Sequence, residues 1–261
     1  MFILIDAHIH LDQYNREDLP AYIEKWKKAG IKGAVSVSTN LRSSYDTLEL
    51  ANQFPDFVIP CIGFHPEQPL PAECELNELL TLIRSERHTI SAIGEIGLPH
   101  YSYENSKFPS LQHYIELLKI FIEKAKQLSL PVVLHAVHDK AAIVYELLQK
   151  YEGVNAHFHW LKAEKKLLQL IIEAGYFISV TPEICYRERD RQLVSQVPLS
   201  QLMLETDGPW PYHEIFENTK TTPLLLKEVV QKTAEIKKIS SKNVKDLTTK
   251  NTAHFYRYDR V

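Results

Sequence analysis

The sequence predicts an α/β fold, a closed (β/α)8 TIM barrel with an additional C-terminal helix, on three observations. Short apolar runs alternate with longer amphipathic stretches along the chain, the order of a parallel sheet with crossover helices. The alternation makes eight strand-plus-helix units in 261 residues, and a single barrel of this kind takes about 250. Histidines and carboxylates recur at the C-terminal ends of the runs, the face of such a barrel where active sites sit. An open doubly wound sheet competes with this reading, but its usual Gly-rich loop after the first strand is missing here. No linker or low-complexity tract interrupts the chain, so residues 1–261 are expected to form one domain.

The elements follow in order. Strands are predicted at Phe2–Ile5, Gly33–Ser38, Val58–Gly63, Ile90–Ile96, Pro131–His135, Val154–Phe158, Tyr176–Val180 and Gln201–Glu205. Helical periodicity marks Glu17–Ala29, Leu41–Phe54, Leu76–Arg87, Leu111–Leu128, Lys140–Tyr151, Glu164–Ala174, Arg187–Val197 and Pro223–Ile236. Gly30, Gly153 and Gly175 stand where a helix should stop before the next strand. Ser240–Phe255 reads as the further helix.

Bulk composition narrows the function classes. Hydrophobic residues are 44% of the chain and charged residues 24%, enough apolar material for a substantial core. A net charge of −3 gives no global attraction to nucleic acid or to an anionic membrane. Cys61, Cys74 and Cys185 have no paired spacing, so a disulfide framework is excluded and a reducing cytoplasm is expected. No apolar stretch reaches membrane-spanning length, and Phe2–Ile5 is too short for a secretion signal. A soluble, cytoplasmic protein with no membrane partner is expected.

The chemistry gathers at the strand ends. His8 and His10 are two apart on an extended segment, so both face one side and can reach one point. Later ends carry His65 before Pro66, Glu95 between Gly94 and Ile96, His135 after Leu134, the pair His157 and His159, and Glu205-Thr206-Asp207. Imidazole and carboxylate together suit zinc, manganese or magnesium. Cysteine is missing from the set, which disfavours a structural zinc knot. The ordinary alternative makes each of these an independent loop residue.

These motifs together resemble the TatD family of metal-dependent hydrolases. They are Asp6-Ala7-His8-Ile9-His10, Gly63-Phe64-His65-Pro66, Gly94-Glu95-Ile96-Gly97-Leu98, His135 after Pro131-Val132-Val133-Leu134, His157, and Leu204-Glu205-Thr206-Asp207-Gly208-Pro209. Asn251-Thr252-Ala253-His254-Phe255 resembles the family's closing helix. The resemblance implies two divalent metal ions. His8, His10 and Asp207 would hold one. Glu95 would bridge to a second, which His135 and His157 would also ligate. It places His65 and His159 near the substrate, although His157 and His159 face the same way and could exchange roles. It implies hydrolysis of a phosphodiester in DNA ends or short single strands, with Asp207 as general base and Glu95 as the other catalytic carboxylate.

Three segments depart from the family pattern. Pro99-His100-Tyr101 follows the strand-four motif where Asp is usual. Ala136-Val137-His138 follows His135 where Ser-Arg is usual. Phe158-His159-Trp160-Leu161 stands where Cys-Phe-Ser-Gly is usual. The metal ligands survive these changes while the pocket around them differs. Hydrolysis of a small amide, ester or lactone is therefore the alternative activity, and a non-catalytic metal-binding module the third reading. Trp160 and Trp210 can stack a nucleobase or pack under the loops. The native metal and the oligomeric state are left open.

Overall fold

The computed structural model describes residues 3–102 and 109–259. Its strands are β1 (Leu4–Ile9), β2 (Ile31–Val37), β3 (Val58–Ile62), β4 (Ala92–Gly97), β5 (Val132–Val137), β6 (Ala156–Lys162), β7 (Phe177–Val180) and β8 (Leu202–Leu204). They form one sheet in the order β1 to β8. Beyond β8, Asp207 N–H donates to the His8 carbonyl at 2.9 Å and His10 N–H to the Gly208 carbonyl at 2.8 Å. The last strand thus returns to the first, and the fold is the expected (β/α)8 barrel. Strands 1, 3, 4, 5 and 8 are buried at every position, as parallel strands covered on both faces must be. Phe2, where the first strand is predicted to start, lies outside the described residues.

The intervening helices are α1 (Leu19–Lys28), α2 (Leu41–Gln53), α3 (Glu73–Ser85), α4 (Leu111–Leu128), α5 (Lys140–Leu148), α6 (Lys165–Glu173), α7 (Glu188–Gln196) and α8 (Leu226–Lys237), followed by α9 (Ser241–Phe255). In α4 the buried residues are Tyr114, Leu117, Leu118, Phe121, Ile122 and Ala125, a stripe at helical spacing. Each large side chain on it contributes about 1.5–3 kcal/mol by leaving water. Ser240 caps α9 by accepting the Asn243 N–H at 3.1 Å. Gly30 and Gly175 end α1 and α6 with φ of 98° and 78°, a conformation that costs a side-chain-bearing residue dearly.

The chain divides into two compact units. One comprises Met1–Ser36, Glu49–Ile59 and Phe177–Val261, and holds β1, β7, β8, α1 and α7–α9. The other comprises Val37–Leu48 and Pro60–Tyr176, and holds β4–β6 and α3–α6. In the second unit Gly97 and His135 are register partners, as are His135 and His159. A Cβ on Gly97 would sit 2.0 Å from the His135 carbonyl oxygen, so only glycine allows β4 this close to the His135 backbone.

The largest departures from the predicted boundaries are at β1 and β6, each of which ends four residues late. The sequence places the end of β6 at Phe158, but the strand continues through Lys162. This carries the polar end of the strand past His157 to His159 and beyond. At β1 the strand runs through His8 to Ile9, and His10 follows immediately.

Candidate metal centre

The first unit brings His8, His10 and Asp207 together. His8 and His10 point their Nε2 atoms at the same oxygen, Asp207 Oδ1, each at 3.5 Å. The two rings stand edge to face, 5.3 Å between centroids. Asp207 adopts φ of 48°, an uncommon backbone conformation for a residue with a side chain, and it turns the chain sharply after β8. The scaffold beneath is Asp6, fully buried on β1. Its carboxylate accepts from Thr206 N–H at 2.9 Å, from the Thr206 hydroxyl, and from His8 N–H at 3.3 Å. Burial pushes the Asp6 pKa up to about 8, with the Thr206 and His8 hydrogen bonds pulling the other way. Glu205 is also buried and accepts the Ser179 hydroxyl at 2.5 Å, and its carboxylate offers an oxygen within 4.8 Å of a His8 ring nitrogen. Tyr14 closes the set from outside: a Cβ on Gly208 would collide with its hydroxyl at 2.1 Å.

The second unit brings three histidines onto one carboxylate. Glu95, fully buried on β4, has its Oε1 at 2.9 Å from His135 Nδ1, 3.0 Å from His159 Nε2 and 3.3 Å from His65 Nε2. His135 and His159 converge because they are level on adjacent parallel strands and so face the same side. His157 lies two residues earlier on β6, fully buried and level with Val133. It is His159 whose ring nitrogen stands at Glu95, at 3.0 Å, while the sequence favours His157 as the ligand.

His65 has a defined tautomer. Its Nδ1 accepts the Glu67 N–H at 3.2 Å, so in the neutral ring the proton sits on Nε2, which donates to Glu95. That suits a hydrogen-bond donor better than a metal ligand.

Glu67 is the residue that sequence reading missed. Its Oε1 accepts from His135 Nε2 at 3.2 Å and from the His100 and Tyr101 N–H groups at 2.6 and 2.9 Å, and its Oε2 accepts from Ser102 N–H at 2.6 Å. Burial would raise its pKa, but His135 and the three N–H groups outweigh burial and hold it far below the usual carboxylate range. The His135 pKa is raised: its two carboxylate partners overcome the opposing effect of burial. The one signal in the sequence was an acidic residue two places after His65.

The donor set fits a divalent metal. Ligands about 2.0–2.1 Å from one ion are spaced by about 2.9–3.4 Å from each other, and the His135 and His159 nitrogens at 2.9 and 3.0 Å from Glu95 match that spacing. Nearby side chains of His65, Glu95 and His135 each offer an atom within 4.8 Å of the others. A fixed carboxylate behind a ligating imidazole, as Glu67 stands behind His135, is the usual support for such a ligand.

Comparison with known proteins gives a consistent picture. A family model described as TatD related DNase matches residues 5–257. An uncharacterized metal-dependent hydrolase of Haemophilus influenzae is 41% identical over 257 residues, covering 98% of this chain and all of that protein. Human deoxyribonuclease TATDN3 is 29% identical, over 97% of this chain and 94% of its own. The crystal structure of YJJV, a TatD homologue from Escherichia coli K12, superposes with a TM-score of 0.86 at 22% identity, over 97% of this chain and 98% of that one.

Proposed function

The chain belongs to the family of TatD-related DNases, metal-dependent hydrolases, and on that premise we propose that it hydrolyses phosphodiester bonds at DNA ends or in short single strands. The observation that carries the reading is the gathering of His65, His135 and His159 on the single buried oxygen Glu95 Oε1. The human relative's name as a deoxyribonuclease supports the substrate class. A net charge of −3 favours short substrates over long duplex, which needs many cationic contacts.

Two ligand sets serve two divalent ions in this proposal, whether zinc, manganese or magnesium. His8, His10 and Asp207 form one. Glu95, His135 and His159 would hold the other. A bound divalent ion supplies hydroxide at neutral pH by lowering the pKa of its water from 15.7 toward about 7. Asp207 accepts the proton of the attacking water as the new bond to phosphorus forms. The bond to the leaving oxygen breaks, and Asp207 returns the proton there. His65, whose Nε2–H donates to Glu95, lies beside the substrate. Asp6 and Thr206 hold Asp207 in place, and Glu67 holds His135.

Among the described residues no helix is long and apolar enough to cross a membrane. Cys61, Cys74 and Cys185 are free thiols, which supports a cytoplasmic setting.

The test is an assay of end-labelled single-stranded DNA with added magnesium, manganese or zinc, beside metal analysis and a panel of amides, esters and lactones. Metal-dependent nucleotide release that is lost in Glu95→Ala supports the proposal. Intact DNA with turnover of a small ester or amide replaces it with the alternative activity.

A further inference from the structure

The loops after β4, β5 and β6 carry a second cluster, all within the second unit and distinct from the metal ligands. Lys162, the last residue of β6, is buried along its stem, with relative exposure of 9%. Its Nζ donates to the Tyr101 hydroxyl at 2.6 Å and stands 4.2 Å from the Trp160 ring centroid. The Tyr101 oxygen accepts this hydrogen bond. The His100 and His138 rings stack with centroids 4.4 Å apart and planes at 27°. His138 N–H donates to the Lys162 carbonyl at 2.7 Å, tying the two loops together. His138 and Trp160 both adopt positive φ, 54° and 39°, so strained backbone presents these side chains.

We propose that Lys162, Tyr101, His100 and His138 form a subsite for a phosphoryl group of the substrate, beside the metal ligand His135. The inference deepens the phosphodiester reading and rests on it.

Three features favour this ligand. The Lys162 ammonium donates hydrogen bonds and adds a fixed positive charge, and the Tyr101 hydroxyl stands beside it. The helix α5 begins at Lys140, two residues after His138, and the N-terminal end of a helix favours an anion. The cluster is also in the right place: the Tyr101 ring lies 6.2 Å from the His135 ring and 6.3 Å from that of His138. Two carboxylates belong to the cluster: Glu67, whose charge is taken up by His135 Nε2 and by the His100, Tyr101 and Ser102 N–H groups, and Asp139. Asp139 pairs with His100 Nδ1 at 3.1 Å and with Lys140 Nζ at 2.5 Å, so it spends its charge on those cations and orients His100. A strand of DNA carries a phosphate at each linkage, so a substrate with one phosphate at the metal ligands brings another to a neighbouring site.

Calorimetric titration of the metal-loaded full chain tests the assignment, with inorganic phosphate and dimethyl phosphate as probes and metal content measured in every sample. The expected result is saturable binding of at least one probe. Affinity falls about tenfold or more in Lys162→Met and stays close to wild type in Lys162→Arg, since a charge-assisted contact is lost in one and kept in the other. Binding of inorganic phosphate alone assigns a terminal monoester, and binding of dimethyl phosphate assigns an internal diester. Equal binding by wild type and a folded, equally metal-loaded Lys162→Met overturns the proposal, as does acetate competing as well as phosphate. DNA hydrolysis measured on the same samples separates the two readings. Cleavage without Lys162-dependent binding removes the subsite alone, and Lys162-dependent binding without cleavage removes the nuclease reading alone.

Discussion

Glu67 Oε1 and His135 Nε2 are 3.2 Å apart, and the opposite nitrogen of the same ring lies 2.9 Å from Glu95 Oε1. His135 thus stands between two carboxylates with different tasks. Glu67 stays ionised because its oxygens also accept three consecutive backbone N–H groups, from His100, Tyr101 and Ser102. An ionised partner holds the proton on Nε2 and leaves Nδ1 as the nitrogen that offers a lone pair on the Glu95 side.

Replacing Glu67 by Gln keeps the size and removes the charge. The amide nitrogen then meets an N–H group that the carboxylate accepted, and His135 loses its proton acceptor. Metal affinity is expected to fall about 10–100-fold, the usual effect of removing a carboxylate behind a ligating histidine. Excess metal should restore much of kcat, and Glu67→Asp should fall between. A loss of rate that saturating metal leaves untouched, at equal thermal stability, would show that Glu67 acts through the fold and not through His135.

His159 and His157 separate in the same assay. His159→Ala is expected to weaken binding of one metal equivalent by about 100-fold or more, because a ligand is removed and not merely its support. His157→Ala empties a fully buried position and is expected to lower the melting temperature while metal stoichiometry holds. The opposite pattern, with metal lost in His157→Ala, would return the ligand role to the residue that the sequence favours.

That exchange shows where sequence reading stops. The pair His8 and His10 was legible because spacing by two within one strand fixes a common face. So was the succession of strands and helices, down to the full extent of α4, because periodicity is local. His159 was harder. Its place at Glu95 comes from standing level with His135 on the neighbouring strand, and from β6 continuing four residues past Phe158, and neither follows from the β6 sequence. Glu67 was harder still, since its partners at residues 100–102 meet it only when the loop after β4 folds back.

Asp207→Asn tests the proton acceptor. Asparagine keeps an oxygen for His8 and His10 but cannot take a proton from water. A rate loss of about 10²–10⁴-fold is expected, the usual contribution of a positioned base. The loss should persist at saturating metal, unlike that of Glu67→Gln. Full activity in a folded Asp207→Asn would remove Asp207 from the proton path.

The three cysteines should react in a fixed order. Burial raises the thiol pKa of Cys61 well above its ordinary value and that of Cys185 to about 11, while Cys74 is exposed on α3. Only the thiolate is alkylated, and a thiol of pKa near 11 is about 0.1% ionised at pH 8. At pH 8 the native protein should therefore take up one equivalent of iodoacetamide quickly, and Cys74→Ser should abolish that phase. The sign of the pH effect follows: Cys185 labelling should rise about tenfold per pH unit toward 11. Rapid labelling of Cys185 at pH 7 would contradict the burial that sets its pKa.

Phe121 and Ile120 are neighbours on α4 that face opposite ways, and they test whether the stripe of that helix carries its stability. Phe121 is 1% exposed and Ile120 is 37% exposed. Phe121→Ala is expected to cost about 3–5 kcal/mol, because the lost burial is compounded by the cavity left behind. Ile120→Ala should change stability by about 0.5 kcal/mol or less, since little apolar surface leaves or enters water. Urea midpoints of the two variants decide the matter. Equal costs would mean that α4 is held by its own helical propensity and not by the face it buries. Unequal costs would tie the placement of the helix to Tyr114, Leu117, Phe121 and their neighbours, whose burial in turn holds α4 against β4, the strand that carries Glu95.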